Sequence, residues 1–406
     1  MKNNIPVSEC QGGVTAPKGF VAGGLYCGIR KTKKDLGMLV SAHPATVAGV
    51  FTLNKTQAAP ILVDKIQLLR SKLCSAVVVN SGNANACTGE RGLNDAWEMV
   101  RLTSQALNLP EEQVFISSTG VIGQYLPMDK MATGIRELAG KLTADGNGDA
   151  AEAIMTTDTY RKEAAVRFSL GPSIVTIGGM AKGSGMIAPN MATMLGFVTT
   201  DISISPQLLQ KALSRANHRS FNRITVDGDM STNDMVLLLA NGQAQNEAFG
   251  EHSEEFQLFC AALEYVLIKL AKMIARDGEG ATKLIEIVVK GARTEEEATQ
   301  AARSVANSNL VKTAIHGCDA NWGRIMAAVG YSGVDFNPEN IEILFGDLRV
   351  LNKNYEIVLD EEKAKAILSK DSVQIVIDLN HGSQQARFWT CDLTKEYVHI
   401  NASYRS

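Results

Sequence analysis

Hydroxyls, glycines and a lone ammonium meet in two places along this 406-residue chain. In SSTGVIG (Ser117–Gly123) a threonine hydroxyl, Thr119, stands next to a glycine N–H, Gly120. Such a pair has the donors that an oxyanion needs, although the same letters alone also describe an ordinary turn. In KGSGMIAPNMATMLGF (Lys182–Phe197) the only charge is Lys182, and a single threonine, Thr193, follows Ala192. A hydroxyl is a weak nucleophile without a base. None of the six histidines (His43, His218, His252, His316, His381, His399) is placed to serve as that base, and none has metal-ligand spacing.

Other chemistries fit less well. Gly183, Gly185 and Ala188 have the G-x-G-x-x-A spacing of a dinucleotide loop, but Pro189 and Gly196 interrupt the helix that must follow it. VDGDMSTND offers Asp227, Asp229 and Asp234 to calcium. The sixth and twelfth positions of a calcium loop would then be Thr232 and Leu238, so a capped helix or hydrogen-bonded turn is the better reading. In IHGCDANWGR, His316 and Cys318 form a nominal Cys–His pair. Side chains two residues apart in a turn rarely face each other, so an ordered turn is expected there.

The elements that must position these groups alternate along the chain. GMLVSA, TVAGVFT, SAVVVNSG, VFISSTGV and PSIVTIGGMA read as strands, and NDAWEMVRLTSQAL and MDKMATGIRELAGKL as helices. From Ser253, the residues Phe256, Phe259, Leu263, Leu267, Leu270 and Ile274 recur at helical spacing until RDGEG. Thr294 with Glu297 predicts a capped helix start. IEILFGDLRVL, VQIVIDL and YVHINASY read as strands. Mixed strands and helices in both halves predict an α/β or α+β fold, with the glycine-rich stretch as the boundary.

The net charge is −3 and neither tail is basic, so nucleic acid and membrane are not expected partners. Seven scattered cysteines without a C-x-x-C pair suit a reducing compartment. No signal-like or membrane-spanning run is visible, and a cytoplasmic location is expected.

Eight segments in order carry a resemblance: NSGNANACTG, SSTGVIG, IMTTDT, AKGSGMIAPNMATMLGF, SFNRITVDGDMSTND, ARDGEGATK, IHGCDANWGRI and YVHINASYRS. Together they resemble the ornithine acetyltransferase family, also called bifunctional glutamate N-acetyltransferase (ArgJ-like), of arginine biosynthesis. The resemblance implies self-cleavage between Ala192 and Thr193, giving an α chain of residues 1–192 and a β chain of residues 193–406. The freed α-amino group of Thr193, with an ordinary pKa of about 7.7–8.0, would then act as the base for its own hydroxyl.

The resemblance also implies roles residue by residue. Thr119 and Gly120 match the oxyanion-hole pair. Thr156, Lys182, Thr193, Glu279, Asn401 and the terminal Ser406 match substrate-binding positions; the family usually ends in threonine, so a methyl is lost here. Lys182 suits a substrate carboxylate and Glu279 an amino-acid ammonium. The implied reaction is ping-pong transfer of acetyl from N2-acetyl-L-ornithine to L-glutamate. No metal or organic cofactor is expected, and acetyl-CoA is an additional donor only in bifunctional members. The implied assembly is an α2β2 heterotetramer. A hydrolase (an amidohydrolase or aminopeptidase with a terminal nucleophile) is the alternative enzyme, and an uncleaved amino-acid-binding protein the alternative outside catalysis.

Overall fold

A computed structural model describes residues 6–188 and 194–403. The chain forms two compact units: Met1–Gly183 with Pro189–Asn222 and Met230–Leu270, and Ser184–Ala188 with Arg223–Asp229 and Ala271–Ser406. The chain therefore passes to the second unit at Ser184, inside the glycine-rich stretch.

The first unit is built on a nine-stranded mixed sheet. Its strands are β1 (Ser8–Glu9), β2 (Phe20–Leu25), β3 (Leu36–Phe51), β4 (Leu73–Asn83), β5 (Val114–Val121), β6 (Lys162–Leu170), β7 (Ser173–Lys182), β8 (Leu195–Thr200) and β9 (Met235–Ala240). The order is β1-β6-β7-β8-β9-β3-β4-β5, with β2 also paired to β3. The pairs β4–β5 and β8–β9 are parallel. Parallel strands covered on both faces are expected to be continuously apolar, and every residue of β8 and β9 is buried.

Alternation along β4 sorts its side chains between two cores. Ala76 and Val78 join one face with helices α1 (Ala59–Arg70), α2 (Gly89–Leu107) and α3 (Met128–Ala139). Val77 and Val79 join the other with α4 (Asn147–Ala153). The segments GMLVSA and TVAGVFT, expected as two strands, are one long β3 whose register slips between Val40 and Ala45. The slip spans Pro44, which lacks the N–H a regular ladder needs. Two further helices follow, α5 (Pro206–Arg219) and α6 (Glu254–Arg276), and the apolar stripe expected on α6 is buried.

The second unit has a five-stranded sheet of β10 (Leu284–Ala292), β11 (Glu342–Phe345), β12 (Leu348–Leu351), β13 (Ser372–Asp378) and β14 (Gln384–Cys391), in the order β12-β11-β13-β10-β14. Helix α7 (Glu295–Ala306) packs Ala298, Ala301, Ala302 and Val305 into the same core as Ile285, Ile287, Ile375 and Ile377. The Thr294 hydroxyl accepts from the Glu297 N–H at 3.1 Å, as the capping spacing predicts. Helices α8 (Asn309–His316), α9 (Trp322–Gly330), α10 (Glu361–Leu368) and α11 (Lys395–Ala402) complete the unit.

Helix α11 corrects the sequence reading, which expects YVHINASY to be a strand. The Thr394 hydroxyl caps the segment by accepting the Glu396 N–H at 3.1 Å, and that cap outweighs the strand preference of Tyr397, Val398 and Ile400.

Candidate active site

In the first unit, Thr119 and Gly120 stand at the end of β5, in register with Ser81 and Gly82 of β4. Gly120 has φ +134°. A Cβ there would lie 2.3 Å from the Gly82 carbonyl carbon, so only glycine permits this approach. NSGNANACTG, quoted above without a role, supplies the scaffold. The Asn80 amide donates to the Asn83 carbonyl at 2.9 Å and accepts from the Ser118 hydroxyl at 2.6 Å. Asn233 donates to the carbonyls of Ala84 and Ser118 at 2.6 and 2.8 Å. Buried amide side chains thus hold the backbone that presents Thr119 and Gly120.

Lys182 ends β7 opposite Leu195 of β8, and Leu195 in turn faces Met235 of β9. Its Nζ lies 3.5 Å from the Thr119 hydroxyl. Thr156 sits in the turn before β6, where its N–H donates to Asp158 Oδ2 at 2.9 Å. Asp158 Oδ1 accepts from Lys162 Nζ at 2.6 Å and from the Gly183 N–H at 2.7 Å. Burial opposes the Asp158 charge, but the nearby Lys182 and Lys162 ammoniums overcome it and hold the carboxyl well below the usual range. Asp234 behaves oppositely. Burial pushes its carboxyl well above the ordinary range, against its Ser231 hydrogen bonds and the Lys182 charge.

In the second unit, Glu279 is buried and accepts from the Asn401 amide at 2.7 Å. Its own N–H donates to the Ser184 carbonyl at 3.0 Å, while the Ser184 hydroxyl donates to the Asp277 carbonyl at 2.6 Å. A Cβ on Gly185 would lie 2.4 Å from the Glu279 carboxylate. The glycine in KGSG is therefore what makes room for that carboxylate. Asp227 accepts from the N–H groups of Met186 and Ile187 at 2.6 and 2.8 Å, and from the Tyr397 hydroxyl at 3.3 Å. Within VDGDMSTND the Asp229 N–H also donates to Asp227 Oδ1 at 3.2 Å, the hydrogen-bonded turn expected of that segment.

Among the sequence-predicted residues, the fold therefore brings Lys182 to Thr119 and Asn401 to Glu279. Thr156 is joined to the strand end of Lys182 through Asp158, whose role sequence reasoning missed. Ala192, Thr193 and Ser406 lie outside the described residues.

His316 Nδ1 pairs with Asp392 Oδ2 at 2.9 Å, and Cys318, at φ +56°, receives Lys283 Nζ on its sulfur at 3.1 Å. Asn321 then caps α9. The ordered-turn reading of IHGCDANWGR holds. No group of three or more metal-ligating side chains occurs among the described residues. No helix among them is long and apolar enough to cross a membrane.

The model of one family, described as the ArgJ family, matches residues 21–406. The chain belongs to the ArgJ family. A Symbiobacterium thermophilum relative named arginine biosynthesis bifunctional protein ArgJ is 54% identical over 97% of this chain and 99% of its own length. A Bacillus subtilis protein of the same name is 50% identical over 99% of this chain and 100% of its own. Among solved structures, the ornithine acetyltransferase of Mycobacterium tuberculosis complexed with ornithine is 37% identical, with a TM-score of 0.43. That match covers 46% of this chain and 100% of the other. The ordered motifs are thus those of an ArgJ-family chain.

Proposed function

We infer that this ArgJ-family chain is a self-processing glutamate N-acetyltransferase of arginine biosynthesis. It moves acetyl from N2-acetyl-L-ornithine to L-glutamate through an acetyl-Thr193 intermediate. The observation that carries the reading is family membership over residues 21–406. The buried Lys182 ammonium, 3.5 Å from the Thr119 hydroxyl at the glycine-bearing end of β5, supports it.

Processing comes first. The Thr193 hydroxyl attacks the Ala192 carbonyl, and the C–N bond breaks as the acyl group shifts from nitrogen to oxygen and frees the Thr193 amine. Water then hydrolyses the ester to release the Ala192 carboxylate and the Thr193 hydroxyl. That amine then takes the proton from Oγ as Oγ attacks the acetyl carbonyl. Negative charge gathers on the carbonyl oxygen, where the Thr119 hydroxyl and the Gly120 N–H stabilise it. The amide C–N bond breaks, the proton passes to the departing nitrogen, and L-ornithine leaves. L-glutamate enters, its amine attacks the Thr193 ester, and N-acetyl-L-glutamate is released.

Lys182 binds the substrate carboxylate and Glu279 the amino-acid ammonium, with Thr156, Asn401 and Ser406 completing recognition. No metal or organic cofactor takes part. Acetyl-CoA is a second acetyl donor if the chain shares the bifunctionality named in its relatives. The processed chains assemble as an α2β2 heterotetramer in the cytoplasm.

The test is an ornithine-release assay with N2-acetylornithine, run with and without glutamate. Release that requires glutamate and yields N-acetylglutamate supports transfer. Equal release without glutamate would replace transfer by hydrolysis. A run with acetyl-CoA and glutamate alone decides bifunctionality.

A further inference from the structure

The turn that carries Thr156 is held from both sides. On its carbonyl side the Arg30 guanidinium donates to the Met155 carbonyl at 2.7 Å and to the Thr156 carbonyl at 3.2 Å. Arg30 is itself fixed, because its backbone N–H donates to Asp35 at 2.9 Å, and Asp35 is fully buried. On the amide side the Asp158 carboxylate accepts the Thr156 N–H with one oxygen and the Gly183 N–H with the other. Gly183 directly follows Lys182. Asp158 thus joins two stretches 25 residues apart in sequence, the Thr156 turn and the end of β7.

We propose that Asp158 is a positioning residue for this site, fixing the Thr156 turn against the strand end that bears Lys182. The proposal rests on the reading above that Thr156 and Lys182 bind substrate.

The rival explanation is that Asp158 only neutralises the buried Lys162. A carboxylate serving a cation alone needs no backbone partners. This one spends an oxygen on each of two amides that border proposed substrate-binding residues. Buried ion pairs can often be exchanged for neutral side chains without unfolding, whereas removing one partner alone strands a charge. The two roles are therefore separable. Asp158→Asn takes from Lys162 the carboxylate that faces its ammonium, while Asp158→Asn with Lys162→Met removes both charges and still lacks one of the two amide acceptors.

The experiment compares wild type and both variants, each purified as the processed assembly, by steady-state kinetics and melting temperature. Amide hydrogen exchange at Thr156 and Gly183 is read in parallel. In the double variant, KM for N2-acetylornithine rises about tenfold or more while kcat stays within about threefold, as loss of a charge-assisted tether predicts. Exchange accelerates at one or both of the two amides while the strand amides of β6 and β7 keep their protection. A double variant with native melting, native KM and unchanged exchange overturns the proposal, as does a KM defect in Asp158→Asn that the second substitution cures. If wild type itself leaves acetylornithine untouched, the transfer reading has failed, and the exchange measurement still decides whether Asp158 ties the two segments.

Discussion

The Lys182 ammonium lies 3.5 Å from the Thr119 hydroxyl oxygen, joining the ends of two strands that are not neighbours in the sheet. An ammonium can only donate, so Thr119 Oγ1 faces it as an acceptor and its own proton is left to point elsewhere. A hydroxyl oriented this way suits an oxyanion donor. Thr119→Ala is expected to lower kcat by roughly 10² to 10³ while KM changes little, as with loss of a single oxyanion donor. Thr119→Ser keeps the hydroxyl and most of the rate. A Thr119→Ala enzyme with native kcat would remove Thr119 from the reaction.

Self-processing makes a prediction that mass alone reads. Wild type gives two fragments joining at Ala192–Thr193, the second beginning TMLGFVTTD. Thr193→Ala lacks the hydroxyl that attacks, so it stays one chain and turns nothing over. Thr193→Ser keeps a hydroxyl and an α-amine and is expected to cut more slowly but still work. Complete cutting of Thr193→Ala would show that another group makes the break.

Gly185 and Asn401 offer a separate test of the Glu279 carboxylate. A methyl on Gly185 would meet the far end of the Glu279 side chain, which can swing away, so Gly185→Ala should fold and shift the carboxylate. Asn401→Asp puts a second carboxylate in place of the amide that donates to Glu279 at 2.7 Å and weakens its hold on its charge. Both variants are expected to raise KM for acetylornithine about tenfold, the worth of one charge-assisted hydrogen bond. Unchanged KM in both would place Glu279 outside substrate binding.

Much of this was legible in the chain because it depends on local pattern. The apolar runs of β4, β5 and β7 and the stripe of α6 are set by which faces are buried, and burial leaves a periodicity. The candidate site was legible only as ordered motifs, since Lys182 reaches Thr119 from a strand that does not neighbour β5 in the sheet and Thr156 is tied in through Asp158, neither of which any spacing records. Asp158 was missed for that reason. Its partners Thr156, Lys162 and Gly183 come from a turn, the start of β6 and the residue just past β7, and an aspartate in TTDT looks like any turn residue. Helix α11 was misread because Tyr, Val and Ile favour strands, while one capping hydroxyl decides the outcome. The helix places Tyr397 and Asn401 one turn apart on a single face, so the misread segment is also the one that carries Asn401.

Asp64 supplies a prediction about stability that is independent of the chemistry. Strand β5 closes one end of the large sheet, and α1 covers its free edge with two side chains. Asp64 Oδ1 accepts the Ile116 N–H at 3.0 Å, and the Gln67 amide donates to the Val114 carbonyl at 3.0 Å. Asp64 is fully buried, its Oδ2 has no partner among the described residues, and burial raises its carboxyl well above the ordinary range despite the Ile116 hydrogen bond. The folded chain therefore keeps a proton that the unfolded chain releases near pH 3.9. A raised folded pKa means that this contribution to stability is full below about pH 3.9 and is lost as pH climbs through the folded value. Asp64→Asn keeps the acceptor and removes the ionisation. It should match wild type near pH 4 and be more stable at pH 7.5 by of order 1 kcal/mol, or about 2–4 °C in melting temperature. Asp64→Ala leaves the Ile116 N–H unpaired in the core and should be less stable at both pH values by about 1–3 kcal/mol. Melting curves of the three proteins across this range check the sign. A wild-type to Asp64→Asn difference that does not change with pH would mean that the Asp64 carboxyl is ionised in the folded state.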